Sequence, residues 1–317
     1  PGAPARGRPR EAGRGLLRRP RPRAAAHRLR ASWAAAAPSA RGRVDQSAGQ
    51  VRAESALGRR GVLLSMDGEL AVELAAHLTV QVVSIAVCLL LAKRRWPRHK
   101  DPWMLADTLT SLVVFPVLTA AAVRGVLDLR HTLTSRWTGV TPETRFFLLL
   151  YIARGLVHIP VQAMEKMKMQ LLVMMTVHHL LSIACFGNAL LTGRMHFWAC
   201  LDGCCEVSTI FLNHVYCGKE FTFGDQRLQD LFPKLFAANG LCLWLSFLLF
   251  RLALFPAWLY FWYQDLALHP QTTAMERHVY PAVTVLLLVL SCFWFVPITK
   301  GMLKALGLAG GGRRHAD

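Results

Sequence analysis

From Val72 to Leu303 the chain alternates between apolar stretches of roughly 20 residues, the length that spans a bilayer core, and short segments carrying charge, Pro or Gly. The pattern predicts seven helices: about Val72–Ala92, Trp103–Val123, Thr144–Val161, Met169–Leu191, Met195–Cys217, Leu235–Tyr263 and Tyr280–Leu303. The expected fold is therefore an all-α, polytopic membrane helix bundle of about seven transmembrane helices. Six is the rival count, with the third helix lying at the interface. That helix carries Arg154 and His158, while Glu69, Glu73, His77 and Gln81 crowd the start of the first.

Composition agrees with the pattern, at 53% hydrophobic residues and a mean hydropathy of +0.32. Charge changes the picture at the N-terminus. Residues 1–65 hold fifteen Arg against Glu11, Asp45 and Glu54, and so carry +12 of the formal +18. An Arg-, Ala- and Pro-rich composition with few aromatics cannot bury a core, so this segment is expected to be disordered. A phosphate-binding tail and an organellar transit peptide are two readings of it. Translated upstream sequence is the third and preferred one, because Met66 reads like a natural start. Residues 66–102 then hold the first helix and a basic loop, residues 103–305 the main membrane domain, and residues 306–317 a flexible tail. No nucleic-acid partner is expected.

Basic residues cluster between alternate helices: Lys93–Lys100, then Lys166 and Lys168, then Lys219, Arg227 and Lys234, and finally Lys300 and Lys304. With seven helices these segments share one side, and the positive-inside rule makes that side, and the C-terminus, cytosolic. Arg124, Arg130 and Arg136 count against the asymmetry.

Candidate chemistry lies inside the apolar stretches, where ionisable side chains face a bundle interior or a cavity rather than lipid. His178 and His179 sit about 14 residues before the turn at Gly193–Arg194, and Glu206 about 13 after it. At about 1.5 Å per residue both lie roughly 20 Å from that turn and are level. Asp202 and Glu206 share a helical face, as do His178 and Ser182. Adjacent histidines point about 100° apart, so one at most aims straight at the next helix. A histidine tuned by a carboxylate could move a proton in acyl transfer from a thioester to an amine or hydroxyl. The same groups could equally satisfy one another and fix helix packing. Adjacent histidines are poor joint ligands, and no metal site is expected.

Other features have plainer readings. The eight cysteines show no disulfide or zinc spacing. Met164, Met167, Met169, Met174 and Met175 read as packing groups. Trp258, Tyr260, Trp262 and Tyr263 read as an interfacial belt, with Pro256 and Pro297 kinking the last two helices. Neither an inverted repeat nor a helix broken at mid-depth is visible, which disfavours a generic receptor or transporter.

The run His178-His179-Leu-Leu-Ser182 followed by Glu206-Val-Ser208-Thr209 resembles the TLC domain. This is the multipass fold shared by translocation-associated membrane proteins, longevity-assurance ceramide synthases and ceroid-lipofuscinosis membrane proteins. Asn239-Gly240, Ser246-Phe247, Arg251, Phe255-Pro256, Trp294-Phe295 and Gly301 continue the resemblance in order. The Glu-x-Ser-Thr step is closer to the TLC-domain-containing and ceroid-lipofuscinosis branch than to the ceramide synthases. A departure lies in the third helix, where Tyr151 is followed by Gly155 between Arg154 and His158. The resemblance implies lipid homeostasis in the endoplasmic reticulum or another endomembrane, with ceramide, sphingolipid or phospholipid as the lipid. His178, His179 and Glu206 become the catalytic candidates, and Asp202, Ser208, Asn239 and Arg251 substrate-binding or structural polar groups. No cofactor is implied, although acyl-CoA is the co-substrate if the chain is an acyltransferase of ceramide-synthase type. Membrane lipids are the expected partners, and homo- or hetero-oligomers stay open. A lipid binder or cargo receptor using the same cavity is the alternative to an enzyme.

Overall fold

The computed structural model describes residues 46–269 and 271–305, with side chains from Gly68 onward. The expectations for residues 1–45 and for the tail from residue 306 lie outside the described residues. The chain divides into two units, Pro1–Gly61 and Val62–Asp317. Of the first, only helical backbone from Gln46 is described.

Helix α1 spans Gln46–Arg95, so residues 46–65, expected to be disordered, have helical backbone. Their Ala, Leu, Glu, Gln and Arg content favours a helix even where no core can form. Then follow α2 (Pro102–Leu129), α3 (Leu133–Thr138), α4 (Pro142–Met164) and α5 (Met169–Thr192). The next segment is delivered in two pieces, α6 (His196–Gly203) and α7 (Glu206–Glu220). A two-residue hairpin, β1 (Thr222–Phe223) with β2 (Gln226–Arg227), and the single turn α8 (Leu228–Leu231) lead into α9 (Pro233–Phe247). A π-helical segment, Leu248–Ala253, joins α9 to α10 (Leu254–Leu268), and a second, Met275–Val279, opens α11 (Tyr280–Ala305).

Among the described residues, six helices are long and apolar enough to cross a membrane: Gly68–Arg95, Pro102–Leu129, Leu133–Met164, Met169–Thr192, Pro233–Leu268 and Met275–Lys304. The third is not interfacial. Its apolar window is 67% buried, the highest of the six, whereas that of α1 is 11% buried. The fifth predicted helix, Met195–Cys217, corresponds to α6–α7, neither half of which is long enough alone. Cys204 and Cys205 keep right-handed helical dihedrals, but bonds from Cys205 N to Asp202 O, Val207 N to Cys204 O and Ser208 N to Cys205 O tighten the turn. Gly203 lies against the ring of Phe147, leaving no room for a Cβ. The helix is thus interrupted by a tight turn at Cys204–Cys205, where none was expected. A Gly followed by two small cysteines, without Pro, gives little sequence warning of a break.

Contacts at the two ends of the bundle show that the segments alternate in direction. At one end Trp96, after α1, donates to Thr222 O (3.1 Å). There Asp101 caps α2 by accepting from Met104 N (3.1 Å), and also accepts from Lys166 N (2.8 Å). At the other end Arg136 donates to Asp265 through Nε and Nη2 (2.5 and 2.8 Å), and Arg194 to Glu276 (2.5 and 3.1 Å). Arg124 and Arg145 pair with Asp128 and Glu73. The arginines that counted against a one-sided basic charge are thus mostly neutralised, Arg130 excepted. The basic segments named above gather at the first end, where among the described residues none of their Lys or Arg side chains makes an ion pair.

The core is densest near the second end. Trp258 and Trp262 stack at 4.6 Å with an interplanar angle of 9°, and Trp137 and Trp198 pack edge-on or tilted beside them. These two tryptophans of α10 are core residues rather than part of a belt, while Tyr260 and Tyr263 face outward. Pro256 cannot donate to the carbonyl one turn back, and the π segment ends just before it.

Helix α2 packs on α4, α6 and α7, with Gly125 at the closest approach. A Cβ there would meet Thr144 Cγ2 at 2.6 Å and Cys200 Sγ at 2.8 Å. Gly240 of α9, by contrast, has nothing within 4 Å of such a Cβ. Gly125→Val is expected to destabilise by about 1–3 kcal/mol, and Gly240→Leu to leave stability unchanged. Thermal unfolding of the two variants in detergent checks this.

Candidate functional site

A cavity of about 1230 Å³ opens among α2, α4, α5, α7, α9 and α11, above the roughly 300–1,000 Å³ of small-molecule pockets. Two of its walls, α5 and α7, have different neighbours. Helix α5 packs on α4, α6 and α11, whereas α7 leans on α2 and α9. Its lining can be read along α2 as a ruler. Met104, Asp107, Thr108 and Ser111 come first, and Phe115 and Leu118 follow deeper in. At about 1.5 Å per residue from Pro102, Asp107 lies roughly 8 Å inside and Leu118 roughly 24 Å. Polar groups therefore occupy the outer half and apolar ones the floor on this wall.

The polar centre is a hydrogen-bond network between α2 and α4, with the histidines of α5 beside it. Arg154 of α4 donates through Nη2 to Asp107 Oδ1 (2.6 Å) and Ser111 Oγ (2.8 Å), both on α2. His158, one turn from Arg154, bonds the same carboxylate oxygen through Nδ1 (2.9 Å). An ionised carboxylate can only accept, so a proton sits on Nδ1, and in the neutral ring the lone pair is on Nε2. The His158 ring meets His179 edge-on at 4.9 Å, and His179 lies 5.1 Å from His178. Trp294 of α11 packs perpendicular to His178.

Both predicted histidines line the cavity, but neither hydrogen-bonds to Glu206. Nδ1 of His178 and both ring nitrogens of His179 are buried without a hydrogen-bond partner. The carboxylate of Glu206 faces Arg251 instead, at 3.9 Å. Arg251 lies within the first π segment, donating to Ser208 Oγ (2.8 Å) and Thr209 Oγ1 (3.1 Å) and resting 5.2 Å from the Phe247 ring. The expected histidine–Glu206 pair is not formed, because α7 diverges from α5 after the break. Glu206 and Ser208 line the main cavity, whereas Asp202 borders a separate void of about 20 Å³ near Ser182 and Tyr280. Asn239 is a packing group, donating to Phe211 O across the α9–α7 contact (3.0 Å).

Asp107 was missed by the sequence reading. A signal existed: Arg154 and His158 are four residues apart on one helical face, and such a pair inside a bundle calls for an acid. Among the described residues no group of three His, Cys, Asp or Glu side chains is placed to hold a metal ion.

The family model described as the TLC domain matches residues 104–300. The chain belongs to the TLC domain family. The match includes α2, so the Asp107–Arg154–His158 network lies wholly within the TLC domain. Searches of curated proteins and of solved structures give no match. Membership makes this TLC protein an integral, multi-pass membrane protein with a lipid-related role.

Two outcomes follow from these environments. Each unpartnered buried imidazole nitrogen is a cost, so His179→Leu is expected to be neutral or to stabilise by about 1 kcal/mol. Asp107→Ala strands Arg154 and is expected to cost about 3–5 kcal/mol. Unfolding in detergent compares them. In the loop after α4, Glu165 also lines the cavity, and burial and the neighbouring Asp107 and Asp101 push its carboxyl up to about 8. The folded state therefore holds a proton that the unfolded state has released, and stability falls as pH rises between about 4.5 and 8. Glu165→Gln should flatten that fall and raise the melting temperature at pH 9 but not at pH 4, as a pH series of melts would show.

Proposed function

We propose that this TLC-domain protein takes a membrane lipid of the ceramide or phospholipid class into the cavity as part of lipid homeostasis in an endomembrane. The observation that carries the reading is the set of unpartnered imidazole nitrogens on His178 and His179, set in the wall of a cavity with an apolar floor. Buried polar groups without partners are rare in native proteins, and a lipid's carbonyl, hydroxyl or amide would satisfy them. The chain's basic end, its C-terminus included, faces the cytosol under the positive-inside rule, so the cavity opens to that side. Family membership sets aside an unrelated receptor or transporter.

A second reading, acyl transfer, is favoured by one observation: His158 Nδ1 lies 2.9 Å from Asp107 Oδ1, with the ring edge-on to His179, an arrangement that turns the proton to the acid and gives the neutral ring a basic Nε2. In it, an amine or hydroxyl attacks the thioester carbonyl of an acyl-CoA. His158 takes the nucleophile's proton and returns it to the departing thiolate. This moves the base from His178 or His179 with Glu206 to His158 with Asp107. A binder or cargo receptor uses the same cavity without that step.

The test is whole-cell lipidomics of a null strain rescued with the wild-type chain, with His178→Ala/His179→Ala, or with Gly240→Leu, which fills the cavity from a glycine in its lining, at matched membrane abundance. The wild type is expected to restore a defined set of ceramides or phospholipids, and both variants to leave it at the null level. Full rescue by both variants rules out the cavity as the functional site. If only the cavity reading holds, purified protein transfers no acyl group, whereas transfer that is lost in His158→Asn supports the enzyme.

A further inference from the structure

The basic end of the cavity has a charge arrangement that packing does not explain. Lys219 in the last turn of α7, Arg227 in β2 and Lys304 in the last turn of α11 come from three separate elements and line the same cavity. Among the described residues none of the three makes an ion pair, and none has a side-chain hydrogen bond. At the opposite end of the bundle, Arg124, Arg136, Arg145 and Arg194 each have an acidic partner. Three of the acids that line the cavity lie at this end. His99 contacts Glu220 at 3.4 Å, Asp230 sits beside the hairpin, and Glu165 holds its proton at neutral pH because its carboxyl is pushed up to about 8. Three cations therefore stand against Asp230 and the already engaged Glu220.

Below them the wall of α2 passes through Asp107 and Ser111 to Phe115 and Leu118. An occupant matching this order carries an anionic group outermost, hydrogen-bonding linkages next, and hydrocarbon innermost. Resting on the lipid-cavity reading above, we propose that the lipid bears a phosphate held at the mouth by Lys219, Arg227 and Lys304, which selects phospholipid over ceramide. Lys and Arg side chains are the usual partners of phosphate oxygens. An anionic cytosolic leaflet would also concentrate such lipids at a basic opening.

The probes are phosphatidic acid and diacylglycerol with identical acyl chains, which differ only in the phosphate. Each is offered to the full-length purified protein in detergent, and bound lipid is read by native mass spectrometry. Lys219→Gln/Arg227→Gln/Lys304→Gln is expected to weaken phosphatidic acid retention by about tenfold or more and to leave diacylglycerol unchanged. The comparison variant Arg94→Gln/Arg95→Gln/Lys168→Gln removes three basic residues outside the cavity lining, and should leave both lipids unchanged. All six side chains make no ion pair, so melting temperatures should match the wild type, and the three cavity variants made singly should rank with the triple. Equal losses in the two triple variants would show attraction to a basic surface only and overturn the proposal. Retention unaffected by the cavity variant overturns it too, as does a melting shift by inorganic phosphate alone that matches that of phosphatidic acid. Gly240→Leu separates the failures. If it leaves diacylglycerol retention intact, the cavity reading itself is wrong; if it abolishes retention of both lipids while the cavity triple discriminates nothing, only the phosphate assignment falls.

Discussion

An acid at the depth of Asp107 persists in a membrane bundle because Arg154 and His158 meet it from the facing helix. Removing charged groups from water costs several kcal/mol each, and in hydrocarbon no solvent makes good a missing partner. That constraint explains most of the architecture. Helix α4 sits at the centre of the bundle although its sequence is the least apolar-looking of the spans, because its polar face has partners on α2. The ion pairs Arg136–Asp265 and Arg194–Glu276 apply the same rule at the end where the chain reverses. The buried polar atoms left without a partner include three imidazole nitrogens of His178 and His179 in the cavity wall, and three basic side chains stand at the cavity mouth.

Two interruptions of helical geometry lie beside the space that those groups share. The tight turn at Cys204–Cys205 directs α7 away from α5. The π segment Leu248–Ala253 adds a residue to one turn and places Arg251 over Ser208 and Glu206. Pi-helical turns inside α-helices recur at functional sites because they reorient one side chain at the expense of regular bonding. The acid most obvious in the sequence, Glu206, therefore faces Arg251 at 3.9 Å rather than the histidines. The acid–histidine contact that does form lies on other helices, between Asp107 and His158.

Much of the bundle was legible because hydrophobic length is a strong signal. The helix positions from Trp103 to Leu303, and the gathering of basic segments at one end, follow from stretches of about 20 residues and from loop charge. The inward placement of His178, His179, Glu206 and Arg251 was legible too, since an ionisable residue in a span has nowhere else to go. Partnership was not. Equal distance from the turn at Gly193 placed His179 and Glu206 on a level, but depth does not fix which helices touch, and the break was silent in sequence. Asp107 is a lone acid in an apolar stretch and became meaningful only once the face holding Arg154 and His158 was known. The tryptophans of α10 resembled a belt because sequence order cannot say that they face Trp198 and Trp137 rather than the membrane surface.

The most direct test of a lipid site built on unpartnered histidines is an electron cryomicroscopy map of the full chain in lipid nanodiscs. The account predicts elongated density in the cavity among α2, α4, α5, α7, α9 and α11, with a polar feature within hydrogen-bonding distance of a ring nitrogen of His178 or His179. A closed cavity, with those imidazoles hydrogen-bonded to Glu206 and no density between α5 and α7, would contradict it.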